Sequence, residues 1–110
     1  MRWDPYDTFE RNGFTVEVFT KPCDDHPMDM FESDNMAEIL DKIDTGVYDW
    51  FDLKVVVSLR GIELGWDSLH GNLYEDARDI EKDGVLNDVI EMAMIHARSS
   101  LDNLKEALAS

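Results

Sequence analysis

Residues 51–66 read Phe51-Asp52-Leu53-Lys54-Val55-Val56-Val57-Ser58-Leu59-Arg60-Gly61-Ile62-Glu63-Leu64-Gly65-Trp66. Phe51, Leu53, Val55, Val57 and Leu59 recur at every second position, the period of a strand with one face turned to a core. Asp52, Lys54, Ser58 and Arg60 take the other positions, with Val56 the one apolar residue among them. Arg60-Gly61 supplies a tight turn, and Ile62, Leu64 and Trp66 resume the alternation in a returning strand. Gly65, inside that strand, predicts a bulge or a close approach of another backbone.

Toward the N-terminus, Phe14 to Thr20 alternates and is rich in β-formers, which predicts a third strand. Before it, Asp4 as cap, Pro5 at the first helical position, Asp7 in the first turn and Gly13 as stop predict a short helix. Pro22 and Pro27 bracket a loop from Lys21 to Phe31 that holds Cys23-Asp24-Asp25-His26. Met36, Ile39, Leu40 and Ile43 recur at helical spacing. Asn35 with Glu38 forms a capping-box-like start and Gly46 a stop, so this helix runs over about residues 34–45.

Toward the C-terminus, Trp66 to Asn72 is read as a loop, and Asn72 with Glu75 as the opening of a short helix through about residue 82. Asp83-Gly84 breaks the chain. From Val85 to Leu108, Leu86, Ile90, Ala93, Ala97, Leu101, Leu104 and Leu108 form one apolar face, with Val89 beside them. The predicted order is α-β-α-β-β-α-α. It implies an α+β fold: a three-stranded antiparallel sheet crossed by the long C-terminal helix. At 110 residues the chain is one domain, 1–110.

Charge sets the functional expectation. Twenty-five acids stand against ten bases, a formal net charge of −15. That balance repels nucleic acid and anionic lipid and argues against direct binding of either. One cysteine forbids an internal disulfide and suits a reducing compartment. No apolar run reaches the length of a membrane span, and the start lacks the apolar segment of a secretory signal.

Residues 22–53 and 63–91 together hold 19 of the 25 acids, against Lys42, Arg78 and Lys82. A high charge keeps a small domain dispersed. It also suits docking on a basic surface. Carboxylates one helical turn apart lie about 5.4 Å apart, close to the spacing of phosphates along a strand. The candidate partner-binding residues are Glu75, Asp76, Asp79, Glu81, Asp83, Asp88, Glu91, Asp102 and Glu106, with Tyr74 and Ile95 as apolar grips. Trp66 flanks the same acidic window.

Chemical sites are not expected. Cys23 and His26 have Cys-x2-His spacing, but His70 and His96 come from distant elements, so no metal site and no cofactor are predicted. The acids do not follow the order of a calcium-binding loop. Asp67-Ser68-Leu69-His70-Gly71 superficially resembles a serine-hydrolase block, yet adjacency does not make a nucleophile and base, and no nucleophile elbow is present. Neither a glycine-rich phosphate loop nor a basic-aromatic stripe is apparent. The chain is read as a non-enzyme.

The run Val55-Val56-Val57-Ser58-Leu59-Arg60-Gly61-Ile62-Glu63-Leu64-Gly65-Trp66-Asp67-Ser68-Leu69-His70-Gly71, followed by an acidic segment and an Ala/Leu-rich last helix, resembles small acidic accessory proteins of tailed bacteriophages. Size and acidity also resemble anti-CRISPR and other inhibitors that mimic nucleic acid. The resemblance implies a phage protein acting in the host bacterial cytoplasm to evade host defence. It implies an inhibitor that covers the DNA or RNA site of a host nucleic-acid-processing protein, first of all a CRISPR effector complex. The alternative is an acidic adaptor or immunity-type protein that binds a basic partner elsewhere. Monomer and homodimer stay open.

Overall fold

Two short turns organise the sheet. Asn12 and Gly13 both have positive φ, 53° and 85°, and so do Arg60 and Gly61, 50° and 80°. This is the geometry whose twist matches a two-residue antiparallel hairpin. The computed structural model describes residues 3–24 and 36–109. It shows two hairpins, β1 (Asp4–Arg11) with β2 (Phe14–Pro22) and β3 (Asp49–Leu59) with β4 (Ile62–Tyr74). β2 pairs antiparallel with β3, giving one four-stranded sheet in the order β1-β2-β3-β4. Helix α1 (Met36–Asp44) lies between the hairpins, and helix α2 (Val85–Ala109) follows a short 3₁₀ turn (Ala77–Glu81).

The fold is α+β with an antiparallel sheet and a long C-terminal helix, but with four strands where three were expected. The expected N-terminal helix is the extra strand. Asp4-Pro5 can cap a helix, but Asn12-Gly13 followed by Phe14-Thr15 is a hairpin signal, and pairing with β2 outweighs the local cap. β1 is an edge strand, where a proline and charged side chains discourage further pairing. A register shift between Pro5 and Asp7 interrupts its ladder. Tyr6 and Phe9 pack against the core.

β4 also departs from expectation. It runs unbroken through 66–72, where a loop was predicted, and Asn72 is a buried strand residue rather than a helix opener. The ladder is irregular between Phe51 and Leu53. There the Asn72 side-chain amide donates to the carbonyls of Phe51 (3.1 Å) and Leu69 (2.9 Å), satisfying acceptors that the interruption frees. The helix expected to reach residue 82 contracts to the 3₁₀ turn. Asp76 caps it by accepting from the Arg78 amide at 2.9 Å, and Asp49 accepts from the Ala77 amide at 2.7 Å. α1 matches its predicted span from Met36 onward, and Gly46, at φ 79°, closes it. The Asn35 cap and the Pro27 part of the predicted loop lie outside the described residues.

Phe14, Val16 and Val18 of β2, and Phe51, Leu53, Val55 and Val57 of β3, form the sheet side of the core. Leu86, Val89, Ile90, Ala93, Met94 and Ala97 of α2 cover it. Helix and sheet come close at Gly65. A Cβ built there would lie 2.4 Å from the Ala97 amide nitrogen and 2.6 Å from the Ala93 carbonyl oxygen. Both readings of Gly65 are realised, the close approach and a register shift beside it, where Val57 pairs with Gly65 and Ser58 with Glu63. Because Gly65 faces the helix, Trp66 faces the other way and is 53% exposed, and Ile62 is exposed at the hairpin tip. The apolar stripe of α2 outruns the core: Leu101 is half-buried, whereas Leu104 and Leu108, expected to be packed, are exposed.

Replacing Gly65 with Ala is expected to cost at least about 2 kcal/mol, because the clash is with helix backbone that no rotamer relieves. Urea denaturation measures this. Adding Ala97→Gly should not restore stability, since removing a methyl leaves the Ala97 amide in place.

Candidate functional site

The sheet has one face under α2 and one that neither described helix covers. Side chains at alternate positions bring a mixed group onto that open face. Lys21 pairs with Asp52 across β2 and β3, and Lys54 with Ser68 and Val56 with Trp66 across β3 and β4. The Lys21 ammonium stands 4.9 Å from the Trp3 ring centre, and the Lys54 ammonium 5.9 Å from Trp3 and 5.6 Å from Trp66. A cation over an aromatic face is held by the ring quadrupole. The sheet thus assembles a basic-aromatic group that no contiguous stretch of sequence displays.

Beside it lies a second group. Cys23 follows the end of β2, and its amide donates to the Trp50 carbonyl at 3.2 Å, which continues the β2–β3 pairing by one residue. The Cys23 sulfur is 3.9 Å from Nε2 and 4.0 Å from Nδ1 of His70. His70 Nδ1 is 2.6 Å from Asp52 Oδ1, and that oxygen also accepts from the Gly71 amide at 3.0 Å. Asp52 is only 6% exposed, while His70 is exposed and Cys23 half-buried. A cavity of about 220 Å³ opens alongside, lined by Trp3, Lys21, Asp52, Leu53, Ser68 and His70 among others.

A thiol, an imidazole and a carboxylate in this order have the composition of a nucleophile, a base and its orienting acid. The geometry differs. The sulfur is equidistant from the two ring nitrogens, so it does not lie on the Nε2 lone-pair axis, as proton transfer to that nitrogen requires. His96, the other candidate ligand, sits at the far edge of β4. Its Nδ1 is 3.0 Å from the Trp66 carbonyl, and since a carbonyl only accepts, Nδ1 carries the proton. His26 lies outside the described residues.

The acidic residues divide by environment. Asp88, Glu91, Asp102 and Glu106 are exposed on α2 with Ile95, which is 52% exposed, and Met92, 44% exposed, lies beside them. Their spacing places the four acids and Ile95 on one side, opposite the buried stripe. Glu91 pairs with Arg11 of β1 at 3.3 Å. Among the described residues the carboxylates of Asp88, Asp102 and Glu106 make no hydrogen bond or ion pair. Glu75, Asp76, Glu81 and Asp83 are exposed too, and Asp79 is half-buried. Asp76 serves as the 3₁₀ cap, Asp79 pairs with Lys82 at 3.1 Å, and Asp83 caps α2 by accepting from the Val85 amide at 3.1 Å.

Tyr74 is half-buried, tilted at 37° against Phe51, and donates its hydroxyl to Asp83 at 2.6 Å. It is a packing residue here rather than an exposed grip. Burial, and then the hydrogen bond and charge of Asp83, push its hydroxyl up to about 12. In return the Tyr74 hydroxyl, followed by the Val85 amide, holds the Asp83 carboxyl below its ordinary value. Compared with protein-family models, curated proteins and solved structures, the chain finds no match in any of the three.

The Tyr74–Asp83 bond gives a signed pH dependence. Tyr74 binds its proton more tightly when folded, so its contribution is fully present below the ordinary tyrosine value of 10.0 and is lost as pH rises through about 12. Tyr6, also raised to about 12 by burial and then by Glu81, acts in the same window. Denaturation followed against pH should show stability falling from 10 to 12, with a smaller fall in Tyr74→Phe. In that variant the Asp83 carboxyl, followed by NMR, should move up toward the ordinary range.

Proposed function

We propose that the protein is an inhibitor that docks the outer side of α2 on a cationic, nucleic-acid-binding surface of a host protein and covers it. The observation that carries this reading is the side of α2 bearing Asp88, Glu91, Ile95, Asp102 and Glu106. Eighteen residues separate Asp88 from Glu106, about 27 Å along the axis at helical rise. That is about eight steps of a nucleic-acid strand at 3.4 Å each.

The carboxylates steer approach and match lysines and arginines, and Ile95 with Met92 gives a small apolar contact between them. The first turns of α2 are fixed by packing at Leu86, Val89, Ile90 and Ala93, so presenting Asp88 and Glu91 costs little ordering entropy. The sequence resemblance to acidic phage proteins supplies the setting, with a CRISPR effector complex the first target to try. Binding at a site unrelated to nucleic acid is the competing outcome of the test.

Capture from a bacterial lysate at low and high salt identifies the target, and competition with DNA or RNA then tests the mechanism. The expected result is mutual exclusion, with affinity falling as salt rises. Joint substitution Asp88→Asn, Asp102→Asn, Glu106→Gln should weaken binding at least tenfold and leave the fold intact, since among the described residues these three carboxylates make no hydrogen bond or ion pair. A complex that holds nucleic acid and this protein together overturns the reading.

A further inference from the structure

We propose that Cys23, Asp52 and His70 form a binding site for one divalent transition-metal ion of the zinc class, on the open face of the sheet. The three donors come from three places in the chain: the end of β2, the middle of β3 and the far part of β4. The pairing of those strands brings them together, so that one ligand atom from each lies within 4.8 Å of the others.

The donor set is the first argument. Thiolate and imidazole together select zinc and its neighbours over magnesium or calcium, which take oxygen donors. The second is size. With Zn–S near 2.3 Å and Zn–N near 2.1 Å, a tetrahedral site places sulfur and nitrogen about 3.5 Å apart. The 4.0 Å between Cys23 Sγ and His70 Nδ1 closes to about that value with a shift of a few tenths of an ångström, while the 2.6 Å between Nδ1 and Asp52 Oδ1 opens by about 0.8 Å as the ion takes the place of their hydrogen bond. The third is preorganisation. Asp52, 6% exposed in a wall of apolar strand residues, is held by the Gly71 amide and turned toward His70. A buried carboxylate facing an imidazole and a thiol is costly to keep and suits a cation. The sulfur lies as far off the Nδ1 axis as off the Nε2 axis, so the imidazole turns on binding to aim its ligating nitrogen at the ion.

A metal takes the cysteine as thiolate and the imidazole as its neutral form with the N–H on the other ring nitrogen, so binding releases the thiol proton and tightens as pH rises. The fourth position opens on the 220 Å³ cavity, where water or an anion near Lys21 completes the coordination.

The test uses the full chain with Zn²⁺ and Co²⁺, in a large excess of Mg²⁺ to occupy the surface carboxylates. Expected are one ion per chain, about one proton released in calorimetry across buffers, and a thiolate-to-cobalt charge-transfer band. Cys23→Ser should abolish the band, and His70→Ala and Asp52→Asn should each weaken binding at least tenfold. Cys23 is the one cysteine of the chain, so Zn²⁺ should also slow its alkylation in the unaltered protein, a readout that needs no variant to fold. Binding that Mg²⁺ competes away, or a cobalt spectrum that Cys23→Ser leaves unchanged, overturns the site, as does alkylation that Zn²⁺ does not slow. None of these results bears on whether α2 docks on a cationic partner.

Discussion

The contact between Gly65 and the backbone of α2 at Ala93 and Ala97 governs how the molecule divides its surface. A side chain at 65 would meet helix backbone rather than a movable group. Glycine therefore lets the helix settle onto β4, and two alanines on the helix complete the approach. Once α2 is seated, Leu53, Val55 and Val57 lose their solvent exposure altogether. The helix can then offer only its far side to a partner, and the sheet only its other face.

Those two surfaces differ in chemistry. The far side of α2 carries carboxylates beside Arg98 and Lys105, and among the described residues only Glu91 forms an ion pair, with Arg11. Nearer the start of the helix the acids have structural work: Asp49, Asp76 and Asp83 each accept backbone amides that would otherwise be unsatisfied. The net charge therefore mixes acids that build the fold with acids the fold does not use. The open sheet face gathers Lys21 and Lys54 against tryptophans and Asp52 against His70.

Much of the architecture was legible because it repeats. The period of two in 51–59, the glycine turn at 60–61 and the apolar stripe from Leu86 to Ala97 each follow from local pattern. What was misread turned on pairing. Asp4-Pro5 reads as a helix start in isolation and becomes an edge strand only when β2 is beside it. Asn72 reads as a cap, yet its amide completes an interrupted ladder inside the sheet. Leu104 and Leu108 continue the stripe, but the sheet they would cover has ended.

The candidate sites follow the same rule. The acids and Ile95 of α2 were visible because helical spacing alone places them together. Tyr74 reads as a surface group in isolation because its partner, Phe51, is 23 positions away. Cys23 and His70 stand far apart in sequence, and Asp52 is one acid among many there. Strand register unites them, and the one local hint was an acid inside the most apolar strand of the chain.

The proposed docking of the outer side of α2 is measured directly by an NMR footprint of the captured partner on the isotope-labelled protein. Shifts should concentrate at Asp88, Glu91, Ile95, Asp102 and Glu106, and Trp3, Trp66 and the rest of the open sheet face should stay unchanged. Shifts confined to that sheet face, with α2 silent, would contradict that docking.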